Sequence, residues 1–192
     1  MTISSKSWIA EAYIKKIRPV ANRELEWFKN QKNLDDAIHY AALALNCCEK
    51  RYSHQRRITR ENLHLSKKIL LQNIEGIKNC PSFDALYTLL ESLLEPVSGL
   101  GELYIYDTAF RLGAYLRRMP ERVYLHAGTR VGAKNLGFDR KKKTLEVAQM
   151  PEWLQQLQPY EIEDVLCIFK DKLSKNQIDF SEEEMLKRSR CS

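Results

Sequence analysis

Glycine and proline are scarce in this chain, with 7 and 6 among 192 residues, so each marks a break. Collagen-like and low-complexity architectures are excluded by that scarcity. Cysteine occurs five times (Cys47, Cys48, Cys80, Cys167 and Cys191), never as Cys-x-x-Cys. An odd count without regular spacing argues against a disulfide framework and predicts reduced thiols in a cytoplasmic setting. On a helix the adjacent Cys47 and Cys48 would face different directions, and no second close pair exists, so neither a metal nor another cofactor is expected. No apolar run approaches the ~20 residues that span a bilayer. The opening Met1–Lys6 segment lacks the apolar centre of a secretory leader. No membrane association is therefore expected. Alternating apolar stretches of strand length are also few.

Helical periodicity fills the space these absences leave. Hydrophobic residues make up 44% of the chain and charged residues 29%, ordinary values for a globular protein. The length predicts one compact multi-helix all-α domain over residues 1–178, followed by a charged tail at 179–192. Trp8, Ile9, Ala12, Ile14 and Ile17 recur at three-and-four spacing, with Pro19 predicting a kink or break. Asn33, Thr59 and Ser82 each stand where a helix N-cap is wanted. Pro96 ends the helix opened by Ser82. Leu103, Ile105, Ala109, Leu112 and Leu116 predict a buried helix after the glycines at 99 and 101. Thr129 is expected to cap a helix from Arg130 to Leu136, closed by Gly137. Pro151 and Pro159 each predict a helix start.

The stretch Val97-Ser98-Gly99-Leu100-Gly101 joins two helical patterns. Glycines there permit positive φ and close approach of another backbone. The second helix then offers unpaired N–H groups and a positive dipole end to an anion. The same residues also suit a sharp turn whose glycines only relieve crowding.

From Phe83 to Gly137, through this hairpin and the following Val123–Gly132 segment, the chain resembles the helix-hairpin-helix DNA glycosylase superfamily. The resemblance implies a hairpin that holds a DNA phosphate, with Gly99 and Gly101 as its contact positions. It departs from the family where Tyr124-Leu125-His126-Ala127 stands in place of the acid-bearing Val-Asp-Thr-His segment. Glu102 follows the hairpin where the family often has a basic residue, and no cysteine cluster matches the iron–sulfur loop. The implication therefore extends to DNA binding and not to base excision.

Three polar clusters complete the pattern. Lys50–Arg57 offers four cations and His54, a composition suited to phosphate, or to a solvated connector. On the helix after the hairpin, Tyr104, Asp107 and Thr108 share a face, and Asp107 requires a partner there. Arg111, one turn on, is the local candidate, with Arg56, Arg57 or Arg130 as distant ones. The third cluster is His126–Arg130. It lies within Arg117–Lys143, where nine basic residues face only Glu121 and Asp139 as acids. With a net charge of +6, an anionic partner is favoured over a basic one.

The expected function is binding of DNA or another phosphate-bearing ligand, through Gly99 and Gly101 with Arg56, Arg57, Arg130 and Lys134 supplying charge. The alternative is an enzyme acting on a small molecule or nucleotide, its pocket drawn from His54, Arg56, Tyr106, Asp107, His126 and Arg130. His54, Asp107 and His126 are its catalytic candidates. A third possibility uses Trp8, Tyr13, Trp27 and Phe28 as docking anchors rather than as core.

Overall fold

The computed structural model describes residues 6–174; the expected charged tail and Cys191 lie outside the described residues. Chain order begins with α1 (Ser7–Ala12), a π-helical turn (Tyr13–Ile17), α2 (Arg18–Lys29) and α3 (Leu34–Ala42). It continues through α4 (Arg60–Gln72), α5 (Ile74–Lys78), α6 (Phe83–Leu94) and α7 (Glu102–Leu116). Then come β1 (Val123–Tyr124), α8 (Ala127–Asn135), β2 (Thr144–Leu145), α9 (Glu152–Gln155), α10 (Pro159–Ile168) and α11 (Lys170–Leu173). The class is all-α, as expected. Among the described residues no helix is long and apolar enough to cross a membrane.

Two compact units make up the fold, a division that no shift in composition marks. One spans Asn22–Pro120; the other joins the segment ending at Ala21 to the segment beginning at Glu121.

In the Asn22–Pro120 unit, the predicted caps form. Asn33 accepts from Asp36 N at 2.8 Å, Thr59 from Asn62 N at 3.2 Å, and Ser82 from Ala85 N at 3.2 Å. Each satisfies an amide that the helix itself leaves open. α6 packs on α7, and α3 on both α4 and α7. Phe28, Ile38, Leu63, Leu70, Leu86, Leu90 and Leu112 are buried between these helices, each contributing about 1.5–3 kcal/mol of apolar transfer. α7 ends where Arg117 turns left-handed at φ 59° and Arg118 N reaches back to Gly113 O at 2.8 Å. That terminus comes four residues before Pro120.

In the other unit, the chain enters through α1 and the π-turn. Pro19 has no N–H to give, and just before it the ladder lengthens, with Arg18 N bonding Tyr13 O. The helix continues through this wide turn, so Pro19 does not break it. β1 and β2 pair antiparallel, Val123 opposite Leu145 and Tyr124 opposite Thr144. This ladder was not expected, because two-residue strands leave no alternation to read. α8 crosses α10 at backbone contact. A Cβ on Gly132 would fall 2.1 Å from Leu166 O, and one on Gly128 would fall 2.8 Å from Cys167 Sγ. Ile9, Tyr13, Val123, Leu154, Ile162, Leu166 and Phe169 form the core. Tyr13 and, in the first-described unit, Phe28 are thus core side chains, which removes them as docking anchors.

Candidate functional site

Asp107 is the centre of the densest polar cluster in the Asn22–Pro120 unit. After α3, the chain makes a short antiparallel bridge between Leu45 and Arg51, then a single helical turn over Ser53–Gln55. This returns His54 and Gln55 to the side of α7. Asp107 Oδ2 meets His54 Nε2 at 2.8 Å, accepts from Gln55 Nε2, and accepts weakly from Arg111 Nη2 at 3.5 Å. Arg111 is the partner predicted one turn along. The distant partners are His54 and Gln55, where Arg56, Arg57 or Arg130 had been considered.

Arg111 is 7% exposed and lies over the Tyr52 ring, 4.2 Å from its centroid. Its other nitrogen donates to Gln55 Oε1 at 3.3 Å and toward Ala41 O at 3.5 Å. Tyr52 in turn donates to Glu24 Oε2 at 2.7 Å. Burial pushes the Tyr52 phenol above its ordinary range, against the opposing pull of Arg111. The outcome is a carboxylate held by three donors, with an imidazole that is 46% exposed set on its solvent side. A histidine oriented through one nitrogen by a carboxylate can present the other to a ligand.

The hairpin belongs to the same unit. Val97 N bonds Leu94 O and Leu100 N bonds Val97 O, at 3.0 and 3.1 Å, closing the turn while Leu100 plugs the core. Gly99 takes φ 86°, and a Cβ there would meet Asn62 Nδ2 at 2.9 Å. Asn62 uses that amide to donate to Ser98 O at 2.7 Å, tying the first turn of α4 to the hairpin. Gly101 is the N-cap of α7 in extended conformation, without a side-chain cap. It is exposed, and no atom lies within 4 Å of a Cβ built on it.

Two of the three predicted polar clusters therefore meet each other, His54 and Gln55 of one on Asp107 of the other. His54 is anchored to Asp107, six residues or about 9 Å along α7 from Gly101. Asn62 is anchored to Ser98. Between these two anchors run Arg56, Arg57 and Arg60, all exposed. Farther along α4, His64, Lys67 and Lys68 continue the basic face at helical spacing and line a shallow groove with Leu71 and Gln72.

His126, Arg130 and Lys134 belong to the other unit. His126 is 2% exposed, and its Nε2 meets Glu163 Oε1 on α10. It is the N-cap residue of α8, and Thr129, expected as the cap, lies within the first turn. Thr129 Oγ1 accepts from His126 N at 2.7 Å and donates to His126 O at 2.9 Å. Arg130 donates to the carbonyls of Arg140 and Lys142 at 3.0 and 3.1 Å, holding the basic loop. Lys134 is exposed. The glycines of this segment serve the α8–α10 crossing.

Sequence patterns placed Gln55 in a polar cluster but missed its contacts with Asp107 and Arg111, and they missed Glu24 as the partner of Tyr52 and Glu163 as the partner of His126. They also missed Tyr13 OH donating to Asp164 at 2.7 Å, and Arg18 gripping buried Glu161 through two nitrogens at 2.6 and 2.8 Å. Burial, reinforced by Asp164, drives the Tyr13 phenol upward. Only the unusual run of carboxylates at 161, 163 and 164 on an otherwise apolar helix could have signalled them.

Cys47 and Cys48 lie not on a helix but at the tip of a turn, both exposed, with sulfurs 4.0 Å apart. Among the described residues no group of three or more His, Cys, Asp or Glu side chains is placed to hold a metal ion. Compared with protein-family models, curated proteins and solved structures, the chain matches none.

Proposed function

We propose that the Asn22–Pro120 unit binds the phosphate backbone of DNA across the hairpin and the adjoining arginine segment. One observation supports this reading: the ties His54–Asp107 and Asn62–Ser98 fix both ends of the segment that carries the exposed Arg56, Arg57 and Arg60, one end on α7 and the other on the hairpin. The amides at the start of α7 suit a fixed phosphate oxygen, and guanidinium groups suit its neighbours along a strand. Contacts of this kind position a protein without reading bases, so binding is expected to be indifferent to sequence. Base excision forms no part of the proposal, since no carboxylate stands in the segment where the resembled family carries its acid. Of the contacts expected outside this unit, Lys134 is exposed, and Arg130 is committed to loop carbonyls.

Fluorescence anisotropy with a labelled duplex, repeated across salt, tests the proposal. If Arg56, Arg57 and Arg60 each neutralise one phosphate, replacing all three by alanine lowers the salt slope by about 2.7. Between 50 and 200 mM salt the native chain then loses roughly 40-fold more affinity than the triple variant. No binding at low ionic strength, or equal slopes, ends the proposal.

The His54–Asp107 geometry favours a second reading, in which His54 transfers a proton at a bound phosphoester. It predicts turnover of a generic phosphodiester that His54→Gln abolishes; a rate unaffected by that substitution refutes it.

A further inference from the structure

The turn at Asn46–Glu49 carries a pair of thiols whose placement the DNA-binding surface does not use. Asn46 builds it. Its buried side-chain oxygen accepts from Cys48 N at 2.9 Å and Lys50 N at 3.0 Å, and its backbone carbonyl accepts from Glu49 N at 2.8 Å. Glu49 then leaves in a left-handed conformation, φ 56°. Successive residues are thereby bent around one tip, and both thiols emerge into solvent on the same side, 4.0 Å apart. Cys47 Sγ also lies 2.8 Å from Glu24 Oε1, and its amide donates to Glu24 Oε2 at 3.2 Å. Glu24, which also accepts from the Tyr52 hydroxyl, thus sets a carboxylate on one of two exposed, adjacent thiols.

We propose that Cys47–Cys48 is a two-electron redox site that reacts with small disulfides by thiol–disulfide exchange. The Cys48 thiolate attacks one sulfur of the small disulfide, forming a mixed disulfide, breaking the original S–S bond and releasing one thiolate, which takes up a proton. Cys47 then attacks Cys48 Sγ. Its proton passes to Glu24 and from there to the departing sulfur as the Cys47–Cys48 bond forms and the Cys48 mixed disulfide breaks, so the second small molecule leaves as a thiol. In balance, two protein thiols lose two electrons and two protons, and one small disulfide becomes two thiols. Cys48 acts first because Cys47 is held as a thiol donating to Glu24, and a thiolate there would face a carboxylate. Adjacent residues bring Cα atoms only about 3.8 Å apart, closer than a relaxed disulfide prefers. The bond is therefore easily reduced again, which makes it a sensor and not a staple.

Mass spectrometry of the full chain after exposure to oxidised glutathione tests this. Trypsin cuts after Lys32 and Lys50, so both sulfurs fall in one fragment, residues 33–50. From the native chain that fragment should be two hydrogens lighter, free of glutathione, and restored by a reductant. Cys47→Ser should instead retain a glutathione adduct, because the second step has no nucleophile. Glu24→Gln should accumulate the same adduct on the way to the closed form. A native fragment that keeps glutathione, stays unmodified, or is cross-linked to another cysteine-bearing fragment overturns the proposal. It stands or falls independently of DNA binding.

Discussion

Replacing Gly101 by aspartate should move folding and binding in opposite directions. Gly101 caps α7 with φ −90° and ψ 174°, and nothing stands within 4 Å of a Cβ placed on it. Any L residue adopts that backbone, so the substitution carries no steric cost. Aspartate is a preferred cap, worth a few tenths of a kcal/mol over glycine. Its charge adds about 0.3–1 kcal/mol against the helix dipole, and Glu102 next to it keeps the gain at the low end. A net rise of about 0.5 kcal/mol, or roughly 1–2 °C in Tm, follows. For an incoming phosphate the same carboxylate occupies the amides and repels the charge. Losing hydrogen bonds to a charged group removes about 1.5–3 kcal/mol, a ten- to hundred-fold loss in Kd. Urea unfolding and DNA anisotropy on the same preparations read both quantities. Gly101→Ser, a neutral cap, should keep most of the stability and lose less affinity. A Gly101→Asp protein that is more stable and binds as tightly as the native chain would refute the hairpin as the phosphate site.

Gly132→Ala should destabilise by about 3 kcal/mol or more, since the new Cβ meets the Leu166 carbonyl at 2.1 Å and the obstacle is backbone. Calorimetry should show Tm lower by roughly 6–12 °C, whereas Gly101→Ala should leave it nearly unchanged. His39 should titrate below its ordinary range by NMR, because burial and then the Lys67 ammonium disfavour its cation. Lys67 Nζ stands 2.8 Å from His39 Nδ1, a geometry in which neutral imidazole accepts. The unfolded chain then binds the proton more readily than the folded one. Stability from this group is complete above about pH 6.5 and falls as the pH drops from there toward the folded-state value. His39→Gln should flatten that part of the urea midpoint against pH; an unchanged profile would count against the pairing.

Much of the fold was legible because its signals are local. Asn33, Thr59 and Ser82 cap helices through amides three residues away, and Asp107 finds Arg111 at the next turn. Such interactions need no knowledge of the rest of the chain. What escaped depends on distance in sequence. The β1–β2 ladder joins residues some twenty positions apart through strands too short to alternate. His54 and Gln55 reach Asp107 from more than fifty residues away, and nothing in their neighbours' spacing specifies that contact. Gly128 and Gly132 show how one residue type misleads. Sequence alone offered anion approach and relief of crowding as readings of a glycine near a helix, and at these two positions the coordinates show the second, a helix crossing. Cys47 and Cys48 were misjudged for a related reason: the helix of α3 stops at Ala42, and the turn beyond it reverses the geometry that a helix would impose.

The segment carrying Arg56 and Arg57 is moored at several points. Leu45 bridges Arg51, Tyr52 reaches Glu24, and His54 and Gln55 converge on Asp107. A loop so moored has already surrendered its backbone freedom during folding. Under the proposed binding, an anion arriving there would meet cations on a rigid footing, with little further entropy lost on association. Cutting one mooring with Tyr52→Phe retains every arginine in the sequence, and the proposed DNA contacts should then weaken through the added freedom of the segment.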